Sequence, residues 1–331
     1  MIKIDLTNEQ RSKIEEILCQ YIRNNKMHSK IKELKELLET NGCTETANTL
    51  SKQAENCKLF LLNGRCSLST TIKAFDNAIK QDSKSTKELI KLIKCGQHEE
   101  KKDGIIIQKK VWGFKDIYKD FSNSDQAYDI LITLGINVCP YCNRQYTFTV
   151  RKKENKSRPQ FDHFYPISKY PYLAISIYNL VPSCGLCNRG KSDTSPVNFL
   201  YPYEESFEDK GIYFEVHNII DNLLKFEQNQ KELTVSLESK EKHDKLIEQY
   251  KNRFKIELLY NEHKQYISEL LQKNYVFNED AIESIYNSYK GIFNTPSEVK
   301  QLIFGNCEPE NFNQKPLSKL TNDIMKQLNC K

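Results

Sequence analysis

Long apolar runs are missing from this chain. No stretch approaches the roughly 20 residues needed to cross a bilayer, and Met1-Ile2-Lys3-Ile4-Asp5 offers no apolar signal-peptide core. No membrane association is expected, and a cytoplasmic location follows. There is also no internal repeat and no low-complexity tail. Charge of one sign is nearly lacking overall, since the net charge is only +5 over 331 residues. The 11 cysteines are odd in number and come without an export signal, so a disulfide framework is not expected.

What is present describes a helix-rich, water-soluble composition with modest cores: 38% hydrophobic, 28% charged, mean hydropathy −0.66. The length exceeds the usual single domain of roughly 100–200 residues. The expected organisation is a helical arm over 1–95, a linker region over 96–125, a small metal-held α+β module over 126–200, and C-terminal strands and helices over 201–331. In the arm, Ile14, Ile17, Leu18 and Tyr21 recur at helical spacing, as do Ile31, Leu34, Leu37 and Leu38. Gly96 to Gly104 reads as a polar, glycine-bounded linker. Asp125 to Leu134 reads as a helix ended by Gly135. Gln145 to Val150 and Gln160 to His163 read as two strands, with 167–183 a long loop. Further strands are expected at 212–216 and 233–237, and helices from Lys240 onward.

Four of the cysteines fall into two C-x2-C pairs, Cys139/Cys142 and Cys184/Cys187. A two-residue gap lets one tight knuckle aim both sulfurs at one metal, so these four are read as a structural zinc site. The other seven (Cys19, Cys43, Cys57, Cys66, Cys95, Cys307, Cys330) have no ligand spacing and read as packing or surface thiols. Between the knuckles lie Asp162-His163 and Asn179, and directly after the second come Asn188, Arg189 and Lys191. From Cys139 to Lys191 nine Lys/Arg face two acids, so this window carries +7 and the remainder of the chain −2. Contact with a phosphate backbone would place charge this way; a solvated basic loop over Arg151 to Arg158 would too. His28, His98, His217, His243 and His263 have no partner at ligand spacing and read as surface or packing residues.

The order Cys-x2-Cys, Asp162-His163-Phe164-Tyr165-Pro166, Asn179-Leu180, Cys-x2-Cys-Asn188-Arg189-Gly190-Lys191 resembles the zinc-ribbon branch of the HNH endonuclease superfamily. The run His163 to Leu173 resembles the PtuB-like nuclease subunits of Septu-type and retron-associated anti-phage systems. The resemblance implies a mainly α chain carrying a small ββα-metal (HNH, His-Me finger) nuclease module. It also implies an ABC-type, PtuA-like ATPase partner, with retron RNA or DNA as a further one, and nucleic acid as substrate, DNA favoured over RNA.

In such a site His163 would be the general base, an imidazole near its ordinary pKa of about 6.5 being able to take a proton from water. Asp162 and Asn188 would ligate a hard divalent cation, Mg2+ or Mn2+. Asn179 would hold His163 and its loop in register. Arg189, Lys191, Lys169 and Arg144 would grip phosphates. Two other classes fit the same residues: a zinc-stabilised nucleic-acid-binding module without catalysis, and an interaction subunit whose helices recruit the ATPase.

Overall fold

In the computed structural model, all residues are described except 63, 103–104, 153–154, 195, 197–198, 220–232, 306–307 and 330–331. Cys307, Cys330, Lys153 and Glu154 therefore lie outside the described residues. The chain begins with α1 (Asn8–Asn24), α2 (Met27–Thr40), α3 (Thr44–Ala54), α4 (Gly64–Gln81) and α5 (Thr86–Cys95). Helix α1 starts at a capping box in which Thr7 and Gln10 exchange side-chain-to-backbone hydrogen bonds. It buries Ile14, Leu18, Tyr21 and Ile22, one face of a 3.6-residue period. Ser85 and Glu88 cap α5 the same way, and Gly96 in the left-handed region ends it.

The stretch read as a linker is instead ordered: β1 (Gln97–Lys102) pairs antiparallel with β2 (Ile105–Lys110). Its base is closed by two glycines, because a Cβ on Gly113 would lie 2.4 Å from the Cys95 carbonyl carbon. Helices α6 (Phe114–Asn123) and α7 (Asp125–Leu134) follow, α7 running from a Ser124 cap to Gly135 at φ +64. Then come β3 (Val150–Lys152), β4 (Asn155–Ser157), β5 (Gln160–His163), β6 (Leu180–Ser183) and α8 (Gly185–Lys191). The C-terminal part holds β7 (Ile212–His217) paired with β8 (Thr234–Ser239). It continues with α9 (Asp244–Phe254), α10 (Ile256–Asn261), α11 (Lys264–Val276), α12 (Glu279–Ser288), α13 (Pro296–Phe304) and α14 (Ser318–Asn329).

The fold is thus mainly helical, with small two-stranded antiparallel sheets among the described residues. No helix of these residues is long and apolar enough to cross a membrane. The strand pairing differs from the sequence expectation. Residues 145–149 form no ladder; only Tyr146 bridges Val138, and β3 pairs with β4. The partner of β5 is β6, in register Gln160↔Ser183 through His163↔Leu180. A strand, a second strand and a seven-residue helix therefore follow one another as β5, β6 and α8.

The N-terminal helices do not stand off as an arm. Ile2 N–H donates to Pro140 O at 2.8 Å, Phe75 stacks on Tyr172, and Arg65 donates to Phe199 O. One buried apolar cluster includes Ile14, Phe75, Tyr141, Leu180 and Ile324. Burial of that continuous surface, at roughly 25 cal/mol per Å2, is what fastens residues 1–95 to the centre. Helix α8 meets α9 with no space to spare: a Cβ on Gly190 would lie 2.4 Å from Arg253 O.

Candidate metal centre and active site

Each knuckle is held by backbone bonds before any metal is considered. In the first, Asn143 N–H donates to Cys139 O at 2.8 Å and Cys139 N–H to Gln145 O at 2.9 Å. Asn143 sits at φ +48, the left-handed region in which asparagine is one of the tolerated residues. Its side chain ties the knuckle to α14: Nδ2 donates to Phe312 O, and Oδ1 accepts from Lys319 N–H at 2.9 Å. Tyr260 donates its hydroxyl to Cys142 O at 2.7 Å. In the second knuckle Cys184 caps α8, accepting from Cys187 N–H on sulfur, while its own N–H donates to the sulfur of Cys139.

The four sulfurs lie within 4.8 Å of one another and all four residues are buried. A tetrahedral zinc–thiolate centre with bonds near 2.3 Å has a sulfur–sulfur edge of about 3.8 Å, and Cys142 and Cys184 sulfurs are 4.0 Å apart. Burial pushes the Cys139 thiol well above its ordinary value, while hydrogen bonds from Cys139 and the other two thiols pull Cys184 far down. Four buried thiols sharing protons are a poor packing solution and a good donor set: the cluster could hold a metal ion, with zinc the one it suits.

The strand β5 sets the rest. Alternation along it puts Asp162 on the side opposite His163. Asp162 is buried and accepts from Tyr141 hydroxyl at 2.6 Å, and Lys191 Nζ lies 3.2 and 3.0 Å from its two oxygens. The same ammonium donates to His163 O at 2.6 Å. Lys191 is 0% exposed. Burial pushes the Asp162 carboxyl up; Lys191, then Tyr141, hold it down.

His163 is half-buried, with Nε2 2.9 Å from Ala174 O and its ring edge-on to Tyr118 at 4.5 Å. A carbonyl can only accept, so the proton resides on Nε2, and Nδ1 is left with a lone pair. Burial lowers the His163 pKa to about 4. The carbonyl that orients it is placed by Asn179, which is fully buried: Oδ1 accepts from Tyr165 N–H at 2.8 Å, and Nδ2 donates to Tyr165 O and Leu173 O.

The sequence-derived roles are redistributed by this geometry. Asn179 holds the loop through Tyr165 and Leu173. Lys191, expected at a phosphate, is instead sealed against Asp162 and cannot reach solvent. Asp162 and Asn188, expected to share a divalent cation, are turned elsewhere: Asp162 to Lys191 and Tyr141, and Asn188 through its amide nitrogen to Gln160 Oε1 at 2.8 Å. As arranged, these two do not fit a Mg2+ or Mn2+ ligand pair. Arg189 and Lys169 are exposed, whereas Arg144 is half-buried with Nη1 3.5 Å from His263 Nε2. Tyr141, Ala174 and Tyr118 carry no sequence signal of a role. Tyr141 could be suspected only from lying inside the first cysteine pair.

In an NMR pH series the His163 ring should titrate near pH 4, and a midpoint near 6.5 would mean that the ring is open to water. Because folding lowers this pKa, the unfolded chain takes up the proton first. The stability His163 contributes is present above about pH 6.5 and is lost as pH falls through about 4.

No protein-family model matches the chain, and no solved structure does. A stretch of 98 residues, 29% of the chain, is 30% identical to protein Ea31 of Escherichia phage lambda. That match takes in 30% of the phage protein, so the two are alike over less than a third of either.

Proposed function

We propose that this chain is an HNH-type endonuclease that hydrolyses phosphodiester bonds of nucleic acid, DNA in preference to RNA. The observation that carries the reading is His163: it sits on a strand framed by two cysteine knuckles, with Nε2 tied to Ala174 O and Nδ1 left to accept. A water bound at Nδ1 would give up its proton there as its oxygen attacks phosphorus, and the P–O bond to the leaving strand would break. A low pKa keeps the imidazole unprotonated at neutral pH, which is the state a base requires. Arg189 and Lys169, both exposed, supply the charge that holds a phosphate backbone. Zinc in the four-cysteine cluster would be structural. Asp162 receives no chemical step, being committed to Lys191; a catalytic Mg2+ or Mn2+ would need donors arranged otherwise.

The further reading is an effector subunit of an anti-phage system working beside an ABC-type ATPase. It is supported by the run His163 to Leu173. The large apolar side chains left in solvent at Tyr275, Val276, Tyr289, Ile292 and Leu302 offer surface for such a partner. The N-terminal helices, packed into the core, do not.

The test is cleavage of plasmid, single-stranded DNA and RNA with Mg2+, Mn2+ or EDTA, comparing wild type with His163→Ala. Loss of the base should slow cleavage by roughly 10²- to 10⁴-fold. Equal products from both proteins would remove His163 from the chemistry.

A further inference from the structure

Thr147 faces inward: it is buried, its N–H donates to Asn137 O at 2.8 Å, and its hydroxyl donates to Ile136 O at 3.0 Å. Extended backbone then turns the residues on either side outward. Those residues are Tyr146 and Phe148, 53% and 51% exposed, followed by Val150 at 45%. The two rings stack on each other in solvent, centroids 4.5 Å apart and planes 18° from parallel. Side chains of this size are ordinarily buried for the transfer energy, so two of them held flat and open call for an occupant.

Charge around the rings indicates its chemistry. The hairpin that continues the segment presents Arg151, Lys152, Lys156 and Arg158. Arg151 and Lys156 reach Asp125 and Asp129, but Arg158 donates to the carbonyls of Pro159 and Ser122, and Lys152 is exposed. Aromatic faces edged by an excess of cations complement a base and the phosphate beside it. A protein partner would be met by aliphatic surface, such as the patch along α11–α13.

We infer that Tyr146 and Phe148 form a stacking platform for unpaired bases, and that the nucleic acid taken by this protein carries a single-stranded segment. The inference rests on the nuclease reading for its setting and names the substrate class. In a duplex every base face is already covered by its neighbours, so the platform can add a base to its stack only where the strand is open.

The experiment is fluorescence anisotropy of the full chain with a labelled oligothymidine and with a blunt duplex, each about 20 nucleotides long, enough to cover a typical single-strand site. Wild type, Tyr146→Ala/Phe148→Ala, Tyr146→Trp/Phe148→Trp and His163→Ala are compared. A melting curve confirms that each exposed-site variant is folded. Oligothymidine should bind wild type more tightly than duplex does. The alanine pair should weaken it about tenfold or more, the loss of one stacked base, and the tryptophan pair should retain it.

Unchanged oligothymidine binding in the alanine pair would overturn the inference. So would equal weakening of single strand and duplex, or no binding by wild type. A loss of self-association in sedimentation, with oligonucleotide binding intact, would assign the rings to a second copy of the chain and overturn it too. If wild type and His163→Ala both bind and neither cuts, the nuclease reading fails while the platform stands. If wild type cuts and the alanine pair binds as before, the reverse holds.

Discussion

Replacing Cys184 with serine, or stripping the metal with a strong chelator, unfolds the middle of this protein. The expectation comes from what the two knuckles connect. Cys184 caps α8, and its N–H bonds to the sulfur of Cys139, so one side chain joins both halves of the cluster. The first knuckle is in turn tied through Asn143 to Phe312 and Lys319, and through Cys142 O to Tyr260. Structural zinc contributes roughly 10 kcal/mol or more in small metal-held modules, comparable with the total stability of a domain, about 5–15 kcal/mol. Wild-type chain should therefore carry bound zinc by elemental analysis. The serine variant should lose it and melt far lower, with α14 exchanging its amide hydrogens along with the knuckles. A serine variant that is metal-free yet melts like wild type would show that the four thiols are only packed together.

The second large effect is at Lys191. Lys191→Met removes a fully buried ammonium and leaves Asp162 with only the Tyr141 hydroxyl. Breaking one side of a buried pair typically costs about 3–5 kcal/mol, because the remaining charge is stranded. Urea unfolding at neutral pH should show a loss of this size. Adding Asp162→Asn should recover most of it, the amide being neutral and still able to accept from Tyr141.

The pH dependence has a definite sign. Burial already raises Asp162, and without Lys191 it rises further. A folded pKa above the unfolded one means stability that is present in acid and lost as pH climbs through the folded value. The gap between Lys191→Met and wild type should thus close at low pH and widen toward neutrality. If Lys191→Met is instead as stable as wild type and binds nucleic acid more weakly, the lysine faces a phosphate after all.

How much of this could be read in advance depends on whether the signal was local. Helix α7 was legible residue by residue, since Ser124 caps it and Gly135 ends it. The cysteine frame was legible because ligand spacing is a covalent matter. Strand β5 was found at its observed bounds, but its partner was not. Leu180-Val181-Pro182-Ser183 is buried on both faces, so it shows no alternation to distinguish it from loop. Residues 145–150 showed the β-branched and aromatic composition of a strand, yet they form only one bridge, and their outward rings read like any strand's. The β1–β2 hairpin was hidden for the opposite reason: Gln97-His98-Glu99-Glu100 has nothing apolar to alternate.

At the site, residue types were visible and pairings were not. Lys191 looks the same in sequence whether it meets a phosphate or Asp162, and only tertiary packing puts the two within 3.0 Å.

The contact between Gly190 and Arg253 O bears on where the protein can be divided. The helix that follows the second knuckle lies flush with a segment well downstream in the chain, close enough that even one methyl would collide. Residues 126–200 are consequently a chapter that cannot be excised and bound separately: cut there, α8 would lose the wall it was shaped against. Grafting the cysteine frame onto a foreign scaffold would require bringing that wall along.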